Sequence, residues 1–150
     1  MNLERDTAYY VALASRAFTR MAESRLRPLG VGVAHIKVMT GLADTASMSQ
    51  REIAAYAHIE QPTAAALIQR MDAAGLIDRA PDPSDRRSTQ ISLSSLGAEL
   101  LPEALALRSS VVAEATASFT AAEVKTLNGL LARLLVNLDS MVDEAVERGR

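Results

Sequence analysis

The sequence predicts a mainly α-helical fold that contains one small β hairpin. Hydrophobic residues make up 49% of the chain but aromatic residues only 3%, and the rest of the apolar content is mostly Ala, Leu and Val. Such a composition favours helices packed at short distance. Apolar residues recur at helical spacing before residue 75 and after residue 95, and strand-like alternation lies between these positions. We therefore expect helices on both sides of a single hairpin.

Two helices are predicted before the centre of the chain. The first covers Asp6 to Leu26 and is ended by Pro28 and Gly30. Its apolar residues alternate in steps of three and four, which is typical of a stripe that faces a partner. The second helix covers Val33 to Leu42, and Asp44 to Met48 is interpreted as a polar connection. The stripe of the first helix consists of Val11, Ala14, Phe18 and Met21.

Two short helices follow, with the length and spacing of a helix-turn-helix. Ser49 and Glu52 form a capping box that starts the first of them, and His58 at its exit tolerates a left-handed turn. Pro62 lies in the first turn of the second helix, where no amide is needed, and Gly75 ends this helix. The inward-facing residues are predicted to be Ile53, Ala54 and Ala57 in the first helix, and Ala65 or Ala64, Leu67, Ile68, Met71 and Ala74 in the second.

A hairpin, interpreted as a wing, comes directly after these helices. Its strand candidates are Leu76 to Ala80 and Gln90 to Leu93; in the second, Ile91 and Leu93 alternate with polar residues, so that one face is buried. The connection PDPSDRRST is a charged tip in which two prolines bracket Asp82 and stiffen the arm. With the preceding helices, this hairpin predicts a winged helix-turn-helix lobe.

Two long helices complete the chain. The first is capped by Ser94 or Ser95, and Pro102 predicts either a kink or a later start. Thr120 to Glu123 is a second capping box, and the last helix runs to about Glu147.

The last helix carries an apolar seam with steps of three and four over three heptads. A helix in a monomeric core has no need of so strict a seam, so we expect it to pack against a second chain. The terminal helices would then form a dimerisation body. The seam consists of Val124, Leu127, Leu131, Leu134, Leu138, Met141 and Ala145, widened by Leu130, Leu135 and Val142. The predicted dimer contacts are Val11, Ala14, Val124, Leu127, Leu131, Leu134 and Leu138.

The stretch SQREIAAYAHIEQPTAAALIQRMDAAGLIDRAPDPSDRR and the following ISLSSLGAELL resemble the MarR family of winged-helix regulators. A helix that ends RMDAAGLI and is followed by DPSDRR is the most specific part, and the resemblance covers essentially the whole chain. It implies a homodimer with intertwined terminal helices and two winged lobes on palindromic DNA. It also implies transcriptional regulation, typically repression that a small aromatic or anionic effector relieves. Residues 1–150 then form one domain, with a DNA-binding lobe at 30–95 and dimerisation regions at 1–29 and 96–150.

The second helix of the helix-turn-helix is expected to lie in a DNA major groove. Gln61, Thr63 and Gln69 have side chains that hydrogen-bond bases, and a Gln pairs naturally with adenine. Arg70, near the helix end, is expected to contact a phosphate. Ala64 to Ala66 stand where many members of the family carry polar or basic groups. We therefore expect modest base specificity, with more discrimination through DNA shape.

The hairpin tip supplies the other part of the expected interface. Arg86 or Arg87 would enter a narrow minor groove, where negative potential is concentrated. Asp85 would hold Arg87 in place by a charge-assisted hydrogen bond, as an acid–Arg pair does in the family. The predicted DNA-binding residues are Ser49, Gln50, Arg51, Gln61, Pro62, Thr63, Gln69, Arg70, Asp85, Arg86 and Arg87.

The charge of the predicted lobe argues against a generic polyanion binder. The whole chain has a formal net charge of −2, and residues 49–95 contain five Arg against six acidic residues. DNA binding therefore requires that the arginines share one surface. We expect Arg51 and Arg70 to lie there with the two tip arginines, while Glu52, Asp72 and Asp78 turn away or pair locally.

An effector site is indicated by cations and apolar residues on the first two helices. The resemblance implies a pocket where the first, second and fifth helices meet, and cations there would bind a carboxylate. The bland interpretation is that these are ordinary helix-face charges and a structural histidine. The candidate residues are Arg16, Phe18, Arg20, His35, Ile36 and Met39, with Lys37 as a further cation.

Several other functions lack their usual residues. The chain has no Cys and only two His, so we expect no metal site, no cofactor and no thiol chemistry. No Ser/His/Asp order, phosphate-binding Gly loop or carboxylate cluster indicates an enzyme. No apolar run approaches a membrane span, so a soluble cytoplasmic protein is expected. The alternative function is a winged-helix module that binds a partner protein and not DNA, which the neutral lobe and the Ala-rich helix favour.

Overall fold

The computed structural model describes residues 6–85 and 88–148. It is mainly α-helical with one small antiparallel sheet, as predicted, and divides into two compact units, Met1–Val112 and Ala113–Arg150. The predicted division at residues 29 and 96 concerns function and stays a prediction. The helices are α1 (Thr7–Leu26), α2 (Val33–Thr45), α3 (Gln50–Ala57), α4 (Gln61–Ala73), α5 (Ser95–Ala115) and α6 (Ala121–Arg148), with a 3-10 turn at Arg27–Leu29. The strands are β1 (Met48–Ser49), β2 (Ile77–Pro81) and β3 (Thr89–Leu93).

Local capping signals place most helix ends. The Ser49 hydroxyl accepts from the Glu52 amide at 3.3 Å, and the Glu52 carboxylate accepts from the Ser49 amide at 2.7 Å, which confirms the first capping box. Thr120 and Glu123 form the second in the same way. His58 is left-handed, with φ 54°, and so is Gly75, with φ 70°. These turns end α3 and α4 as the sequence predicts.

The sheet has the order β1-β3-β2, so β3 lies in the middle. Met48 of β1 pairs with Ile91 on one edge of β3, and Arg79 of β2 pairs with Ile91 on the other edge. The prediction that Asp44 to Met48 is a polar connection is wrong, because α2 continues to Thr45 and Met48 starts a strand. Met48 is buried by pairing with a strand far along the chain, and local sequence carries no signal of that contact.

The core of the first unit lies between α1, α2, α3, α4, the sheet and the first part of α5. Ala64, rather than Ala65, is the buried small residue of α4. The prediction that Ala74 faces inward is wrong, because α4 ends at Ala73 and Ala74 is exposed at its C-cap. The largest fully buried side chains are Leu26, Met39, Leu42, Ile53, Ile68, Met71, Leu76 and Val38.

Helix α5 begins against the turn that follows α4. Ser94 caps it, since the Ser94 hydroxyl accepts from the Gly97 amide at 3.0 Å and donates to the Gly75 carbonyl at 2.6 Å. The alternative of a start later than Ser95 is therefore wrong, and Pro102 lies inside the helix. A Cβ on Gly97 would stand 2.2 Å from the Leu76 carbonyl oxygen, so this close approach requires glycine.

Helix α6 leaves large apolar side chains exposed along most of its length. Val124 and Leu134 are half-buried, and no side chain of α6 that the structure describes is buried. The exposed apolar residues of α6 are Leu127, Leu130, Leu131, Leu135, Val136, Leu138, Met141 and Val142.

None of the helices in the described ranges is long and apolar enough to cross a membrane.

Candidate nucleic-acid interface

A groove of about 540 Å³ separates the start of the helix-turn-helix from the hairpin. It brings together the first residues of α3, the first residue of α4 and both strands of the hairpin. Among the described residues, five of the predicted DNA-binding residues line it, namely Ser49, Gln50, Arg51, Gln61 and Asp85. The other described lining residues are Arg79, Ser88, Thr89 and Ile91.

Four other predicted DNA-binding residues, all on α4, lie outside this groove. Pro62, Thr63, Gln69 and Arg70 are exposed on α4. Arg86 and Arg87, with the predicted Asp85–Arg87 contact, fall outside the described residues.

Asp82 organises the base of the hairpin tip. Its Oδ1 accepts from the Ser84 amide at 2.8 Å and from the Ser84 hydroxyl at 2.7 Å, while its Oδ2 accepts from the Gln90 side-chain amide at 2.8 Å. These bonds, with the Ser84 hydroxyl first, lower the pKa of Asp82 to about 2. The prolines around Asp82 predict a stiff arm but not these bonds. The signal for them in the sequence is Asp-x-Ser, the pattern of an Asx turn.

Arg79 is a groove residue that sequence reasoning did not assign. Its Nε lies 2.8 Å from the Asp72 Oδ2, and both side chains are about half exposed. Arg79 follows the buried Ile77 by two positions, so alternation along β2 places both on the helix-facing side of the sheet. The two-residue step from the apolar Ile77 was the signal in the sequence that could have placed Arg79 on this face.

Three acids near the groove, Glu52, Asp72 and Asp78, are paired locally or turned away, as expected. Glu52 is held by Ser49, whose backbone amide and hydroxyl lower the pKa of the Glu52 carboxyl. Asp72 pairs with Arg79. Asp78 is directly opposite Ser92, on the other face of the sheet from Arg79. The nearly neutral charge of residues 49–95 as a whole therefore does not describe the groove itself.

A cavity of about 530 Å³ lies between α2, α3 and α5. Of the six predicted effector residues, only Ile36 lines it. The cavity therefore differs from the pocket that was expected where the first, second and fifth helices meet. Met39 is fully buried in the core. Lys37 lines the cavity and donates to the Ala57 carbonyl at 3.0 Å. The lining residues are Val33, Ala34, Ile36, Lys37, Thr40, Tyr56, Leu105 and Arg108.

His35 has a structural position at the start of α2. Its Nδ1 accepts from the Gly32 amide at 3.0 Å, and the Glu23 carboxylate accepts from the next amide, that of Val33, at 2.8 Å. Burial lowers the pKa of His35, the charge of Arg70 lowers it further, and Glu23 opposes them. The imidazole is therefore neutral at pH 7.

The three remaining effector candidates lie on α1. Arg16 and Arg20 are exposed, and Phe18 is half-buried against the core. In the described ranges no cluster of three or more His, Asp or Glu side chains has the arrangement of a metal site.

Comparison with known proteins identifies the fold as that of a described family. A family model described as "MarR family" matches residues 29–88, which include the whole helix-turn-helix and the hairpin up to Ser88. This part of the chain is similar to the MarR family of winged-helix regulators. The HTH-type transcriptional repressor IacR of Pseudomonas putida is 26% identical over 133 residues, which are 89% of this chain and 80% of that protein.

Solved structures carry the same fold as this chain. A probable transcriptional regulator from Pseudomonas aeruginosa is 27% identical with a TM-score of 0.81, over 89% of this chain and 99% of that one. A mutant MarR from Escherichia coli, crystallised with operator DNA, has a TM-score of 0.81 at 23% identity, over 90% of this chain and 99% of that one. The second likeness concerns the fold alone.

Proposed function

We propose that this chain is a transcription regulator, acting as a repressor, that binds palindromic double-stranded DNA as a homodimer in the cytoplasm. The observation that carries the proposal is the groove in which Ser49, Gln50, Arg51, Gln61 and Asp85 come together. The Pseudomonas putida relative is named a repressor, and the Escherichia coli MarR of the same fold was crystallised on operator DNA.

The groove explains how one lobe would hold a duplex. Helix α4 has 13 residues, so it is roughly 20 Å long and fits along a major groove. The hairpin would reach the adjacent minor groove. The sugar-phosphate strand between the two DNA grooves then lies against the protein groove. The exposed polar side chains of α4 would face base edges, namely those of Gln61, Thr63 and Gln69. The neighbouring Ala66 has no side-chain group that can hydrogen-bond a base.

The homodimer is supported by apolar surface that a folded monomer leaves in water. The stripe on α6 includes Leu130 at 56% and Leu135 at 61% exposure. The first half of α1 also exposes Tyr9, Tyr10 and Val11. Apolar surface exposed along a helix in this way marks an interface between proteins. Two lobes would then meet two half-sites about one helical turn apart, ~10 bp.

Effector binding is assigned to the cavity between α2, α3 and α5. Its wall is mainly apolar, and Lys37 and Arg108 add two cations, which suits a small aromatic carboxylate. Titration with benzoate-class acids should release bound DNA from the wild-type protein, and Lys37→Met with Arg108→Met should abolish this release. Arg16→Met, at an exposed position on α1, is the matched control.

The proposal is tested by selection of duplexes from a randomised pool, followed by footprinting of the selected sequence. We expect an inverted repeat protected on both half-sites. Gln61→Ala with Gln69→Ala should weaken binding of the selected sequence by roughly 10-fold or more, since each base contact contributes ~1–3 kcal/mol. If the folded protein retains no duplex at low salt, the DNA-binding proposal fails and the protein-interaction alternative takes its place.

A further inference from the structure

We propose that Arg79 binds a DNA phosphate in the groove and that Asp72 is the residue that positions it. This rests on the proposed DNA binding and adds a contact pair to it. Neither residue is among the DNA contacts predicted from the sequence.

The register of the sheet puts Arg79 at the mouth of the groove. Arg79 pairs with Ile91, and the next pair on the same face is Pro81 with Thr89. Ile91 is buried, while Arg79 and Thr89 are exposed, and all three line the groove. The helix-facing side of the sheet therefore passes from core to groove at Arg79. An arginine there has its stem against protein and its charged end in the groove.

Asp72 is the residue that would orient that charged end. It lies in the last turn of α4 and contacts the Nε of Arg79 at 2.8 Å. Within the described residues it is the sole ion-pair partner of Arg79. Contact at Nε leaves the two terminal nitrogens of the guanidinium for a second acceptor. A planar fork held in this way suits two oxygens of one phosphate.

The charge of the groove favours an anion. Two guanidinium groups, those of Arg51 and Arg79, stand against one carboxylate, that of Asp85, among the described lining residues. Ser49, Gln50, Gln61 and Thr89 add polar side chains to the wall. The groove also lies between the elements proposed to enter the major and minor grooves of DNA. A backbone phosphate is the anion that this position would meet.

A purely structural role for the pair predicts a different behaviour. Exposed ion pairs contribute little to stability, so neither Asp72 nor Arg79 is needed for folding. A structural tie between α4 and β2 would change the melting temperature and leave the number of displaced counterions unchanged. A phosphate contact changes that number, because each contact releases about one counterion.

The experiment measures the affinity for DNA against salt concentration. The probes are a 30-base-pair duplex selected by the wild-type protein and a scrambled duplex of the same composition. Arg79→Gln should weaken both by roughly 10-fold and reduce the salt slope by about one per protomer. Arg79→Lys should keep the slope and lose part of the affinity, because Lys is a point charge without the fork. Asp72→Asn should weaken binding by roughly 3-fold and have no effect in the Arg79→Gln background.

The matched control is Arg148→Gln, which breaks a comparably short and more exposed ion pair with Glu144 on α6. It removes the same charge and should leave both affinity and slope unchanged. An unchanged slope for Arg79→Gln overturns the phosphate contact. Weaker binding by Asp72→Asn in the Arg79→Gln background, or tighter binding by Asp72→Asn alone, overturns the positioning role. A wild-type protein that binds neither duplex refutes the proposed function, and the inference falls with it.

Discussion

Helices α4 and α6 are both amphipathic, but they dispose of their apolar faces in opposite ways. In α4, Leu67, Ile68 and Met71 are at most 2% exposed. In α6, Leu130 and Leu135 are more than half exposed. Helix α4 is therefore positioned by packing within its own unit, so its exposed face keeps its position although that face is rich in alanine. Helix α6 has apolar surface that its own unit does not cover, and the proposed dimer would cover it.

The largest expected effect is at a buried position of α4. Ile68→Asp places a carboxylate in the core, where an unpaired charge costs several kcal/mol, about the whole stability of a domain this size. We expect the first unit to lose cooperative unfolding in urea. Gln69→Asp, the adjacent exposed position, is the control and should unfold like wild type. Equal midpoints for the two variants would contradict the packing described for α4.

The next effect separates α6 from α4. Leu131→Glu puts a charge on the proposed seam, and we expect a monomer by sedimentation with the helical circular dichroism largely retained. The control is Lys125→Glu. Lys125 is an exposed residue of the same helix that lies off the seam, so this variant should leave the proposed dimer intact. A Leu131→Glu protein that sediments as a dimer would remove α6 from the interface.

A smaller effect is expected at the hairpin tip, where Asp82 accepts hydrogen bonds from Ser84 and Gln90. Asp82→Ala removes three hydrogen bonds, so amide exchange at Ser84 should accelerate and DNA affinity should fall, with little change in global unfolding. The pKa of Asp82 in the folded chain is about 2, below its ordinary 3.8. Its contribution is therefore present above pH 3.8 and is lost as pH falls through 2. Asp44→Ala, an exposed acid on α2, is the control.

The smallest expected effect is a pH dependence centred on His35. Its pKa in the folded protein is below the ordinary 6.5, so the unfolded chain takes up the proton more readily. Stability that depends on neutral His35 is present above pH 6.5 and declines as pH falls below that value. Urea midpoints from pH 8 to pH 5.5 should show this decline, and His35→Gln should flatten it. The acids with lowered pKa, among them Glu52 and Glu123, titrate below this window. A decline of equal size in His35→Gln would assign it to another group.

Sequence predicted the features that depend on neighbouring residues. The Ser49–Glu52 capping box, the left-handed His58 and the stop at Gly75 are each determined within one turn of chain, and all are confirmed. Met48 was missed because its partner is Ile91, more than forty residues away. The cavity lined by Lys37 and Arg108 was also missed, since it depends on how α2 and α5 approach each other. Arg79 lies between these cases: alternation from Ile77 gives its face, but the Asp72 contact needs the structure.

The contact at Gly97 has a consequence for modularity. Because this glycine lies against the Leu76 carbonyl and Ser94 bonds the Gly75 carbonyl, the exit of α4, the root of the hairpin and the first turn of α5 are joined at one point. The wing is not an interchangeable part. A chimera that takes its hairpin from another regulator has to take residues 75–97 as a single block, or the graft will meet a side chain where only backbone fits.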